Sequence, residues 1–284
     1  MKKIRVGGVP EHFNLPWHLA LENKHFEKEG LEIEWVSYPG GTGAMTKALR
    51  NGEVDVCMLL TEGITADIIK GNPSKIIGMY VNTPLIWGVH THVDNPLRLY
   101  GETYSKNYAI SRFGSGSHLI PIVDATLNDK SISPDQLVEI KNLDGALSSL
   151  GNGESDVFYW EKYTTKPWVD KGVLKRVGEF VTPWSCFAIA ATDDIIESSP
   201  DELKRMMSVI HFNCDQFMNS TNAVELVSKR YEQKLEDVEQ WFYSTEWAIN
   251  DHVSTKMLRN VMFMLKQAEI IEKEVPLSKI LRRL

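Results

Sequence analysis

Residues 111–118 read Ser-Arg-Phe-Gly-Ser-Gly-Ser-His. Hydroxyls, a guanidinium and a glycine-punctuated helix start are concentrated there. The free N–H groups of a helix start, joined by an arginine, make a receptor for a carboxylate, sulfonate or phosphate. The plainer alternative is a capped helix carrying a surface arginine. A second turn, Pro39-Gly40-Gly41-Thr42-Gly43, also opens a helix and offers the same donors, although many such turns only reverse the chain. Glu11, Glu62 and Glu161 pull the other way, because carboxylates sharing one cleft favour a cationic or amine-bearing group. A ligand with an acidic end and a basic or amide end fits this set best.

Catalytic constellations are thin. Serines and histidines are plentiful, but no GxSxG elbow occurs. His90 and His92 project to one face of an expected strand, with no third metal ligand identifiable nearby. His118 reads either as a ligand contact or as a partly buried helix residue. Phe13, Trp17, Trp160 and Trp184 either stack on a planar ligand or fill the core. Cys57, Cys186 and Cys214 are too far apart for a metal knuckle and require no disulfide. No catalytic residue, metal or cofactor is assigned.

The elements that must position these residues show a repeat. Residues 51–71 (NGEVDVCMLLTEGITADIIKG) are echoed at 152–172 (NGESDVFYWEKYTTKPWVDKG). Asn51/Asn152, Gly52/Gly153, Glu53/Glu154, Asp55/Asp156, Val56/Val157, Lys70/Lys171 and Gly71/Gly172 are identical. Each copy reads as a helix end, a polar turn, a buried strand and a helix closing on Lys-Gly. Two distant copies predict an α/β protein of two lobes, each a sheet flanked by helices. The first lobe is expected to comprise 1–92 plus 186–284, and the second, inserted lobe 93–185. The expected crossings are near Asp94-Asn95-Pro96 and at 181–184, so 85–92 reads as a strand leaving the first lobe. The C-terminal region reads as helical, including segments at 253–271 and 278–284.

Ligands of open α/β sheets bind beyond the carboxyl ends of the strands. That rule selects as ligand-binding candidates Glu11, His12, Phe13 and Asn14; Gly40, Gly41 and Thr42; and Thr61 and Glu62. From the second lobe it takes Arg112, Gly114, Ser115, Gly116, Ser117, His118, Trp160 and Glu161, and from the crossings Asn82, Thr83 and Trp184.

A net charge of −7 over 284 residues excludes a phosphate-backbone partner such as nucleic acid. No run reaches the ~18 apolar residues of a membrane span, so no membrane insertion is expected. Met1-Lys2-Lys3 has the charge of a leader start, but no apolar stretch follows. The chain as written is expected in the cytoplasm, or in the periplasm or outside the cell if a leader has been removed.

Gly30-Leu31-Glu32-Ile33, Gly40–Gly43, the stretch 48–56, Gly114-Ser115-Gly116-Ser117 and the 185–191 strand followed by Ser199-Pro200-Asp201 occur in an order that resembles a type II periplasmic-binding-protein fold. The chain is similar to the superfamily of alkanesulfonate, taurine and thiamine-pyrimidine-precursor binding proteins, and most of all to a subgroup without signal peptides. The resemblance implies capture of a small, acidic-group-bearing molecule by closure of two lobes, and handover to an ABC-type permease. The same fold hosts enzymes. Fungal thiamine-pyrimidine synthases consume a histidine near the first Asp-Val strand and carry a cysteine cluster near the return strand, whereas here 60–70 contain no histidine and the return strand offers only Cys186. Cytosolic menaquinone-pathway enzymes, which resemble the chain in their start, remain the enzymatic alternative.

Overall fold

The computed structural model describes residues 3–284; Met1 and Lys2, part of the charged start, lie outside the described residues. Short apolar runs bounded by glycine and polar turns become strands: β1 (Lys3–Gly8), β2 (Glu32–Ser37), β3 (Val56–Leu60), β4 (Ser74–Val81), β5 (Ile86–His92), β6 (Tyr108–Ile110), β7 (Leu137–Glu139), β8 (Val157–Glu161), β9 (Leu174–Val181) and β10 (Phe187–Thr192). Strand β3 is buried at every position, as a strand covered on both faces must be. The helices are α1 (Leu15–Glu22), α2 (His25–Lys28), α3 (Thr42–Arg50), α4 (Thr61–Ile69), α5 (Gly116–Leu127), α6 (Leu143–Asn152) and α7 (Lys166–Asp170). After β10 follow α8 (Asp193–Ser198), α9 (Pro200–Met218), α10 (Ala223–Tyr231), α11 (Leu235–Tyr243) and α12 (Thr255–Gln267).

The strands form two five-stranded sheets with matching plans, β2-β1-β3-β10-β4 and β7-β6-β8-β5-β9. In the first, β1 runs parallel to β2 and β3, and β10 lies antiparallel between β3 and β4. In the second, β6 runs parallel to β7 and β8, and β5 lies antiparallel between β8 and β9. Each sheet therefore contains, in the same place, a strand that has just crossed from the other. The segment 85–92, expected to leave the first lobe, is thus a full member of the second sheet. The chain crosses at Asn82-Thr83-Pro84-Leu85, not at Asp94-Asn95-Pro96, because β5 finds its antiparallel partner in β9.

The two copies of the echoed unit occupy equivalent places, and the repeated aspartate does the same work in both. Asp55 Oδ2 accepts from the Arg5 N–H at 2.8 Å, and the Asp55 N–H donates to the Arg5 carbonyl at 3.0 Å. Asp156 Oδ2 accepts from the Asn107 N–H at 3.2 Å, and its N–H donates to the Asn107 carbonyl at 2.8 Å. Each carboxylate fixes the register of the neighbouring parallel strand at its start. Asp55 also pairs with the Arg5 guanidinium at 2.6 Å. The preceding glycines, Gly52 and Gly153, take φ of 66° and 74°, left-handed values that suit the tight turn into the strand.

An aromatic cluster of Phe13, Phe217, Trp241, Phe242 and Trp247 seals the C-terminal helices to the first sheet. The tail expected to be helical at 278–284 is instead a 3-10 turn at Leu277–Lys279. Ile76 N–H donates to the Ile280 carbonyl at 2.8 Å and the Arg282 N–H to the Ile76 carbonyl at 2.9 Å, so the tail covers the free edge of β4.

Asp55→Ala should lower the free energy of urea unfolding by about 1.5–3 kcal/mol, the range for hydrogen bonds to a charged group. Asp156→Ala, which loses only neutral donors, should cost less but remain measurable. Changes near zero at both sites would contradict the register-fixing role.

Candidate functional site

The carboxyl ends of β1, β2, β6 and β8 converge with the two crossings on one cavity of about 60 Å³. Of the residues selected from sequence, Glu11, Gly40, Gly41, Thr42, Ser115, Gly116, Ser117, Trp160 and Glu161 line it. Its apolar walls are Val9, Leu60, Leu85, Trp87 and Phe187, with Pro39 and Ser111 at the turns. Those walls lie outside the candidates expected from sequence. The strand-end rule covers Val9 and Leu60, whereas Leu85, Trp87 and Phe187 depend on where the crossings run.

The remaining candidates sit around the cavity. His12 is buried, stacked on Phe13 at 4.9 Å and edge-on to Trp241 at 4.2 Å, and burial pushes its pKa down to about 3. Asn14 donates to the Val9 carbonyl at 2.7 Å, and so braces the loop that carries Glu11. Thr61 Oγ1 donates to the Ser185 carbonyl at 2.7 Å. Glu62 is fully buried and accepts from the Trp184 indole N–H at 2.8 Å, tying α4 to the second crossing. Asn82 and Thr83 fasten the first crossing to Glu246, at 3.2 Å each. His118 Nδ1 accepts from the Gly114 N–H at 3.0 Å, and burial followed by the Lys70 charge lowers its pKa to about 4. His90 is buried against Thr165 at 2.9 Å.

Arg112 is the main departure from expectation. Its guanidinium does not face the cavity; it crosses between the lobes and donates to the Gly40 carbonyl, and to the Lys141 carbonyl at 3.3 Å. A Cβ at Gly40 would collide with the guanidinium, and one at Gly43 would lie 2.9 Å from the arginine methylenes. The glycine turn is therefore the seat of an arginine from the other lobe. The serines of 111–118 are also engaged: Ser115 Oγ donates to the Arg112 carbonyl at 2.6 Å, and Ser117 Oγ to Ser111 Oγ at 3.2 Å. A second interlobe contact joins α7 to the start of α11, through Lys234–Asp170 at 2.6 Å and Lys166–Asp237 at 3.7 Å.

The two carboxyls at the cavity differ. Glu161 accepts from the Tyr163 and Thr164 N–H groups at 3.0 and 2.7 Å and from Thr164 Oγ1 at 2.7 Å; burial still raises its pKa. The Glu11 carboxyl has no hydrogen-bond partner among the described residues; burial, then the Glu161 charge, push its pKa up to about 8. The Trp87 indole N–H is likewise buried without a partner. Among the described residues, no lysine or arginine lines the cavity.

Residues 87–180 match a family model described as Ca3427-like PBP. The Candida albicans CA3427 gene product, described as defining a new family with the generic periplasmic binding protein fold, superposes with a TM-score of 0.93 at 25% identity, covering 100% of this chain and 97% of that one. The chain has the type II periplasmic-binding-protein fold. The alkanesulfonate-binding protein SsuA from Xanthomonas axonopodis pv. citri, bound to MOPS, matches at TM-score 0.79 and 13% identity over 99% and 98% of the two chains. The ligand-binding component of an ABC-type import system from Staphylococcus aureus, with zinc bound, matches at 0.74 and 12% over 100% and 97%. No curated protein matches the sequence. No helix among the described residues is long and apolar enough to cross a membrane.

Glu62 gives this periplasmic-binding-protein fold a pH dependence. Burial raises its pKa from 4.5 to about 7, partly offset by the Trp184 hydrogen bond. A raised folded-state pKa in an acid means stability present at low pH and lost as pH rises through the folded value. The melting temperature should therefore fall between about pH 4.5 and pH 7. Glu62→Gln, which keeps an acceptor for Trp184, should flatten that fall. An unchanged slope in the variant would assign it to other groups.

Proposed function

We propose that this protein captures a small organic molecule between its two lobes and closes over it. The supporting observation is the cavity at the strand ends, where the Trp87 indole N–H is buried without a partner and the half-buried Glu11 carboxyl meets no donor among the described residues, beside apolar walls. A buried N–H without a partner is costly, and a ligand that accepts from Trp87 while pairing with Glu11 regains that cost. The lobes are connected by two short crossings, hydrogen-bonded to each other from Cys186 N–H to the Thr83 carbonyl at 3.0 Å and from Thr182 N–H to the Leu85 carbonyl at 3.2 Å. Such a pair is a natural hinge, since a few residues absorb the rotation while each sheet stays rigid. A cavity of about 60 Å³ admits no bulky solute while the lobes are clasped, so entry requires opening.

The acidic-group ligand expected from sequence loses its main support here, because Arg112 is engaged by two backbone carbonyls. Delivery to an ABC-type permease is proposed as the step after capture. It draws on the import-system role stated for the Staphylococcus aureus protein of the same fold.

A native mass spectrum of protein purified from its own cells should contain a species heavier by one small molecule. That molecule should be released chemically unaltered on denaturation. A spectrum of bare protein alone would contradict capture, and release of a transformed product on incubation would favour the enzymatic alternative.

A further inference from the structure

Resting on the capture reading above, we infer that the cleft selects a ligand bearing a protonated amine, held at Glu11 with Glu161 behind it and its apolar body against Trp87 and Trp160. Apart from the Trp87 indole N–H, the polar side chains facing the cavity are acceptors or are already engaged. Glu11 offers a carboxyl with no hydrogen-bond partner among the described residues, and the ionisable groups that act on it or feel it are Glu161 of β8, Cys186 before β10 and Tyr231 of α10. None of these is a cation. Arg230, beside Tyr231, is paired with Glu22 at 2.8 Å, and His12 is held neutral by burial.

An anionic head in this cavity would meet two carboxyls and, among the described residues, no side-chain cation. An ammonium head instead satisfies the orphan carboxylate and relieves its repulsion with Glu161. Tryptophan faces favour a cation further through their ring quadrupoles. Because the free Glu11 carboxyl holds its proton up to about pH 8, binding an ammonium must expel that proton. The sign follows: affinity rises as pH rises toward that value, by up to about tenfold per unit, and levels off above it. An anionic ligand, which needs that carboxyl protonated, would instead hold its affinity up to about pH 8 and lose it above.

Calorimetric titration with benzylamine, benzyl alcohol and phenylmethanesulfonate compares three heads on one body. Benzylamine should bind at least about tenfold more tightly than the other two, the equivalent of one charge-assisted hydrogen bond. Its binding should release a proton below about pH 8, read from the dependence of the heat on buffer ionisation. Glu11→Gln should abolish both the preference and the proton release; an unshifted melting curve would exclude misfolding, and the wild-type pH slope needs no variant. Tighter binding of the sulfonate, no binding of benzylamine, or an affinity that falls as pH rises would overturn the amine assignment. Any of these would leave capture itself standing, since the native mass spectrum uses no added probe.

Discussion

Everything in this molecule depends on the exchange of one strand between two sheets. Strand β5 leaves the first half to lie antiparallel in the second sheet, and β10 returns to the equivalent place in the first. Neither sheet is complete without a strand from across the cleft. The exchange leaves only two covalent links between the lobes, which lie side by side and hydrogen-bond to each other. Backbone connection alone therefore does not fix the angle between the lobes. Contacts at the rim must do so, and the structure supplies them as Arg112 on the Gly40 turn and the lysine–aspartate pairs at α7.

This division of labour explains the distribution of charge. Rim contacts are polar and partly exposed, worth little individually in water, and so suited to being broken and remade. The side of the crossings is buried and carries hydrogen bonds between α4 and the second crossing, including the Glu62–Trp184 pair. Between them lies a cavity with apolar walls and a carboxyl that meets no donor among the described residues.

The parts legible in the sequence were those with local causes. The echo of 51–71 at 152–172 marked equivalent strands because the same Asp must fix the same register in each half. The strand-end rule brings Glu11, Thr42, Ser115 and Glu161 to one cavity because parallel strands end together at that edge. What escaped depended on distant partners. Strand β5 reads like a continuation of the first lobe until β9, over 80 residues on, provides its partner. Arg112 beside a glycine-serine turn looks like an anion receptor; its seat at Gly40 lies 72 positions away. The tail at 278–284 has helical composition, yet the free edge of β4 draws it into extended pairing.

The central claim is that Arg112 clasps the lobes over the cleft. Spin labels at Lys47 on α3 and Asp144 on α6, both exposed and on different lobes, report the angle directly. Double electron–electron resonance should give one dominant distance in the otherwise wild-type protein. Adding Arg112→Ala should introduce a second, longer distance as the open form becomes populated. Identical distance distributions with and without the arginine would contradict the account.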